Sequence, residues 1–247
     1  MAYIFFCSPT SGTGSMLRIL KAMGSKSLKM HAAVAPASLE DREGVTFLDP
    51  TAGDVLYWFR GPRHWDPTLD LSSFRIIGHF RDPRDLACNQ YWWALQHPND
   101  DPPEVAEEKR RKVLEMGIDR YVLGRNNASI YNLMRSLADG PMGEGVTWTS
   151  YNQLVSAFDY MMDNLCRVFG RAPSEVAEVL RNERPEAVTG NDRWLKGGGA
   201  WEGADVMPGR FRRDLKPETA AALTAKVQAE LAFCRQHDAP FMEHHYL

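Results

Sequence analysis

Four short runs, Tyr3–Cys7, Asp54–Phe59, Phe74–Phe80 and Val146–Trp148, are almost wholly apolar and lack the alternation of a half-exposed strand. Their length and density suit buried strands. Between them, apolar residues recur at helical spacing. Met16, Leu17, Leu20 and Met23 share one helix face, and Gly24 ends that run. The pattern predicts further helices over about Leu86–Leu95, Glu104–Met116 and Ile118–Ala138, one from a Ser150 cap to Phe169, one from Pro173 capped by Ser174, and a last one over Pro217–Gln236. Tyr91, Trp92 and Trp93 read as core packing. Ser25–Thr51 has no clear period, so Lys26, Lys29 and His31 read as a solvated loop. His97–Pro103 is polar and proline-rich and reads as a lid or surface loop, and Gly140–Gly145 as a turn. Strands alternating with helices make this an α/β chain, and its 247 residues suit one domain over 1–247.

Charge narrows the chemistry. The 29 Lys and Arg against 32 Asp and Glu leave a net charge of −3. General electrostatic attraction to nucleic acid or acidic lipid is excluded, so any basic site must be local. The most basic stretch follows Thr189, where Arg193, Lys196, Arg210, Arg212 and Arg213 flank Gly197-Gly198-Gly199, a run that is not a packed element. Cys7, Cys88, Cys166 and Cys234 are scattered without metal or redox spacing, and Cys7 and Cys88 read as buried thiols. No stretch has the length to span a bilayer and no leader pattern opens the chain, which reads as cytoplasmic. His244-His245 lacks a spaced partner for a metal.

The candidate site begins at Ser8-Pro9-Thr10-Ser11-Gly12-Thr13-Gly14-Ser15, between the first strand and the first helix. Amide N–H groups that open a helix have no intrahelical acceptor, and the helix dipole adds positive potential there. Glycines let the backbone approach an oxygen-rich ligand, and Ser11, Thr13 and Ser15 add hydroxyl donors, so the loop is a candidate anion cradle. It is not a Walker A loop, because no lysine follows Gly14. Arg81 stands where the third strand meets a helix with Asp82 as cap and Pro83 in its first turn. A guanidinium there suits a bidentate grip on phosphate. Arg84 and Asp85 read as a surface pair. The second strand runs into Arg60-Gly61-Pro62-Arg63-His64, a turn beyond a strand's carboxyl end where sites of open α/β sheets lie.

These features together resemble the sulfotransferases that use 3′-phosphoadenosine 5′-phosphosulfate (PAPS). Pro9-Thr10-Ser11-Gly12-Thr13-Gly14 is similar to their Pro-Lys-Ser-Gly-Thr-Thr loop. Arg81-Asp82-Pro83-Arg84-Asp85, followed by Asn89 and Tyr91, is similar to Arg-x-Pro-x-Asp-x-x-x-Ser-x-Tyr. Tyr151-Asn152-Gln153-Leu154 resembles Tyr-Glu-Asp-Leu, and Lys196-Gly197-Gly198 with Gly209-Arg210-Phe211 resembles Arg-Lys-Gly…Gly-x-Trp. The resemblance implies a three-layer fold, a parallel sheet between helices with a P-loop-like first turn. It implies PAPS as co-substrate without a metal. The 5′-phosphosulfate would lie on Ser11, Gly12, Thr13, Gly14 and Ser15. The 3′-phosphate would lie on Arg81 and Asn89 with Lys196 and Gly197, and the adenine by Tyr151. Arg210, Lys196 and Arg60 are candidates for added charge, and His64 and Arg60 are the nearest matches to the family's catalytic histidine beyond the second strand, with His31 a further candidate. Thr10 stands where the family has lysine, and Ser15 where it often has tryptophan. The implied reaction moves a sulfuryl group to a hydroxyl or amine of a small-molecule, carbohydrate or peptide acceptor. Two alternatives stay open, a catalytically silent relative that binds nucleotide or a partner, and a small-molecule kinase on a related fold. The acceptor and the oligomeric state are left open.

Overall fold

The computed structural model describes residues 1–32, 48, 49, 51, 53–60, 71–96, 102–140, 142–185 and 207–247. Five parallel strands form one sheet in the order β2-β3-β1-β4-β5, with β1 Ala2–Cys7, β2 Lys29–Ala32, β3 Val55–Arg60, β4 Arg75–Phe80 and β5 Val146–Ser150. The central strand β1 is buried throughout, and its residues alternate between two cores. Ala2, Ile4 and Phe6 pack with Ile130, Tyr131, Met134, Phe233 and Tyr246 on one face. Tyr3, Phe5 and Cys7 pack with Met16, Ile19, Leu20, Leu154, Met161 and Leu165 on the other. A strand with apolar residues at every position can be satisfied only between two helical layers, which is why the run carries no polar alternation.

The helices that matter for the site are α1 Thr13–Met23, α2 Pro83–Gln96, α3 Pro103–Gly124, α4 Ala128–Asp139, α5 Tyr151–Ser156, α6 Phe158–Phe169 and α7 Pro173–Leu180. The strand order sends the connection from β1 toward β3 and β2, and that from β4 toward β5. The carboxyl ends of β1 and β4 therefore border the crevice where the chain changes direction, the usual ligand position in open α/β sheets. The loop after β1 and Arg81 after β4 both lie there.

Several elements differ from the sequence expectation. Lys29 and His31 belong to edge strand β2, and His31 stacks on Tyr57 with ring centroids 5.8 Å apart. Lys29 and His31 are exposed and Met30 is partly buried, an alternation that a four-residue strand carries over too few positions to stand out in the sequence. The run from Ser150 to Phe169 is two helices, because Ala157 leaves helical geometry at φ −145°. Gly117, at φ 70° and ψ 159°, is not helical and divides α3 into two helical pieces, where the sequence places a break between Met116 and Ile118. The second piece does not run on to Ala138, because the chain breaks again after Gly124, and the Asn126 carboxamide oxygen accepts the Ala128 N–H at 3.0 Å at the start of α4. The last helical stretch divides at Val227 into Pro217–Lys226 and Gln228–His237. Ser174 lies inside α7 and does not cap it. The cap is Ala172, whose N–H donates to the Glu175 carboxylate at 2.9 Å. Arg84 and Asp85 are buried and not a surface pair, at 1% and 0% exposure. All four cysteines are buried thiols, and among the described residues no helix is long and apolar enough to cross a membrane.

Candidate nucleotide site

The loop after β1 turns sharply because two residues take left-handed backbone geometry, Thr10 at φ 55° and Gly12 at φ 81°. Gly12 also has no room for a side chain, since a Cβ there would lie 2.9 Å from Leu154 and 3.2 Å from Tyr151. The first helical bond of α1 runs from Met16 N–H to the Gly12 carbonyl at 3.0 Å. The amides of Gly12, Thr13, Gly14 and Ser15 therefore precede it at the helix's positive end. The Ser11 hydroxyl donates to the Ser8 carbonyl at 2.6 Å and closes the turn. Thr13 lies 3.5 Å from the Cys7 sulfur, and Ser15 accepts from Arg18 at 3.0 Å. Arg18 is held in turn by both carboxylate oxygens of Glu183, at 2.7 and 2.9 Å.

Arg81 meets this loop from β4. It is 2% exposed, and its guanidinium lies 4.0 Å over the Tyr151 ring. Nη1 donates to the Thr10 carbonyl at 3.1 Å, and the Asn89 amide donates to the same oxygen at 3.3 Å. Nε and Nη2, the other edge of the fork, are buried without a partner among the described residues. The hydroxyls of Ser8 and Thr10 and the Asn152 carboxamide are likewise buried and unpartnered. Buried donors of a charged group are rarely left so, because each unmade bond costs the group its lost hydration. The open donors among these, the Arg81 edge with the Ser8 and Thr10 hydroxyls, fit an anionic ligand with several acceptor oxygens.

The motif around Arg81 is fixed from below. The Tyr131 hydroxyl donates to the Arg81 carbonyl. Asp82 caps α2 through the Arg84 N–H at 2.8 Å, and its carboxylate pairs with the Arg84 guanidinium at 2.7 and 3.0 Å. Arg84 lies 3.9 Å over the Phe211 ring. Asp85 accepts the Gly209 N–H at 2.7 Å and the Phe211 N–H at 2.9 Å, so it grips the backbone on both sides of Arg210. Burial, and next the Asp82 charge, push the Asp85 carboxyl up to about 6. Arg210 is 1% exposed, pairs with Asp214 at 2.5 Å and stands 5.4 Å over the Trp92 ring.

Of the residues singled out in the sequence, Thr10, Ser11, Gly12, Arg81, Asn89 and Tyr151 converge by direct contact. Thr13, Gly14 and Ser15 continue the same turn into α1. Arg60 ends β3 opposite Cys7 in the register. His64, Lys196 and Gly197 lie outside the described residues. His79 carried no role in the sequence reading, yet its imidazole Nε2 is 2.7 Å from the Ser11 carbonyl. The available signal was a lone polar side chain at the carboxyl end of an apolar strand.

No family model matches the sequence, and no curated protein matches it either. Solved structures do match the fold. Mouse sulfotransferase SULT7A1 complexed with PAP superposes with a TM-score of 0.61 at 15% identity, over 93% of this chain and 84% of that one. The fold is that of a sulfotransferase. Retinol dehydratase matches in two complexes, with androsterone and inactive cofactor PAP at a TM-score of 0.55 and 12% identity, and with retinol and PAP at 0.56 and 11%. Each covers 92% of this chain and 80% of the other. The sulfotransferase fold thus accounts for nearly the whole chain, as the resemblance of its sequence motifs implies.

Proposed function

We propose that this chain is a sulfotransferase that uses PAPS and sulfurylates a hydroxyl or amine of a small-molecule acceptor. The observation that carries the reading is the buried, unpartnered Nε/Nη2 edge of Arg81, set beside a helix-start anion cradle in this fold. Arg81 and Asn89 hold the 3′-phosphate. Tyr151 lies by the adenine, and the amides of Ser11 to Ser15 hold the 5′ end. Lys196 and Gly197 are assigned to the same nucleotide by their motif, and Arg210 is assigned added charge. When bound, PAPS supplies the sulfuryl group for in-line transfer. The chain's part is to fix orientation and to place amide dipoles where negative charge grows. His64, beyond Arg60 and β3, is assigned removal of the acceptor's proton.

A second reading rests on Thr10. It brings a hydroxyl and no charge where the resembling family has lysine, which suits a silent nucleotide-binding protein. Transfer from PAPS to a panel of phenols, alcohols and amines separates the two. Turnover by the wild type supports the enzyme. No turnover by the wild type, with transfer restored in Thr10→Lys, supports the silent protein.

A further inference from the structure

His79 is fully buried near the end of β4, in register with Cys7 of β1 and Thr149 of β5. An imidazole in that position needs both ring nitrogens bonded to offset its lost hydration. Both are. Nδ1 lies 2.9 Å from the Thr149 hydroxyl, and Nε2 lies 2.7 Å from the Ser11 carbonyl. A carbonyl only accepts, so Nε2 carries the proton. Burial, with the Arg81 charge adding to it, lowers the ring's pKa to about 4, so the ring is neutral and Nδ1 accepts from the Thr149 hydroxyl in preference to the Gly78 carbonyl, 3.1 Å from that hydroxyl.

The bond has a geometric consequence for the loop. A trans peptide is planar, with its C=O and N–H pointing in opposite directions. Drawing the Ser11 carbonyl down onto His79 turns the Gly12 N–H away from the sheet. That amide then opens the helix-start series that ends with the Met16–Gly12 bond. The preceding peptide is set from the side, by Arg81 and Asn89 on the Thr10 carbonyl. Two successive peptide planes of the cradle are thus each fixed by a named donor.

We infer that His79 is a positioning residue that aims the Gly12 amide at the 5′-phosphoryl group held by the loop, an assignment that rests on the nucleotide reading above. The apolar neighbour Phe5, with ring centroids 6.2 Å from His79, leaves leucine an acceptable filler for the space. His79→Leu removes the donor. His79→Gln keeps an N–H of similar reach.

The test is calorimetric binding of adenosine 3′,5′-bisphosphate and adenosine 3′-monophosphate, which differ only at the 5′ end. His79→Leu is expected to weaken the bisphosphate by about tenfold, the scale of one hydrogen bond, and to leave the monophosphate within about twofold. His79→Gln should recover most of the loss. Should His79→Leu not fold, His79→Asn, whose amide is too short to reach Ser11, takes its place. Equal losses for both ligands, or none, would overturn the assignment, because a packing role does not distinguish the 5′ end. A wild type that binds neither ligand overturns the nucleotide reading and this assignment together. A wild type that binds both, with equal losses in the variant, overturns this assignment alone.

Discussion

Replacing Arg81 by methionine should separate affinity from stability. Among the described residues the guanidinium makes one hydrogen bond, to Thr10, and one cation–π contact, over Tyr151. As a bond made by a charged group the first is worth about 1.5–3 kcal/mol, and the second about 0.5–2 kcal/mol. Against them stand the two buried N–H donors on Nε and Nη2, which have no partner among the described residues. Leaving donors unsatisfied costs about 1–3 kcal/mol each. The substitution removes about 2–5 kcal/mol of gain and about 2–6 kcal/mol of penalty while keeping a similar volume, so the two offset and global stability should fall by no more than about 3 kcal/mol. Binding is different. The same two donors become charge-assisted bonds to a phosphate, worth about 1.5–3 kcal/mol, so affinity for adenosine 3′,5′-bisphosphate should fall roughly 10- to 150-fold. Urea unfolding and calorimetric titration of the wild type and Arg81→Met measure the two quantities. A large loss of stability with unchanged affinity would refute the reasoning, since it would mean that Arg81 is a structural group whose open edge serves nothing.

Thr10 is the only described non-glycine residue at positive φ, and a β-branched side chain is strained there, so Thr10→Gly should raise stability by about 1 kcal/mol in urea unfolding. Gly12→Ala meets both a positive φ and a Cβ 2.9 Å from Leu154, and should lower stability by about 1–3 kcal/mol and weaken nucleotide binding in the same titrations. The pH dependence of unfolding carries two opposing buried groups. Asp85, raised from 3.8 to about 6, contributes stability that is present below its unfolded pKa and lost as pH rises through 6. His79, lowered from 6.5 to about 4, contributes stability that is lost as pH falls from 6.5 toward 4. Across that window Asp85→Asn should steepen the acid loss of stability and His79→Leu should flatten it, and identical profiles for the two variants would contradict both assignments.

The sheet was legible because its central strands are buried on two faces, which forces near-continuous apolar runs at Tyr3–Cys7 and Phe74–Phe80. Edge strand β2 escaped detection because Lys29 and His31 face outward and leave only part of its pattern apolar. Helix breaks at Ala157 and Val227 carry no glycine or proline, so no local residue announces them. The loop after β1 and Arg81 were legible as one candidate site from the loop's glycines and from their place at strand ends, and the fold brings them into contact. Asp85 and Arg84 were misread because adjacent opposite charges look like a solvated pair. In the fold, Asp82 takes Arg84, and Asp85 takes backbone amides of Gly209 and Phe211 more than 120 residues away. His79 acts on Ser11 across 68 positions, a contact that only the strand order creates.

The central claim is a site for a 3′-phosphorylated adenine nucleotide, and the most direct measurement is calorimetric binding of adenosine 3′,5′-bisphosphate beside ADP and magnesium-ATP. The account predicts tight, metal-independent binding of the bisphosphate and much weaker binding of ADP. Preference for magnesium-ATP, or no binding of any of the three, would contradict it.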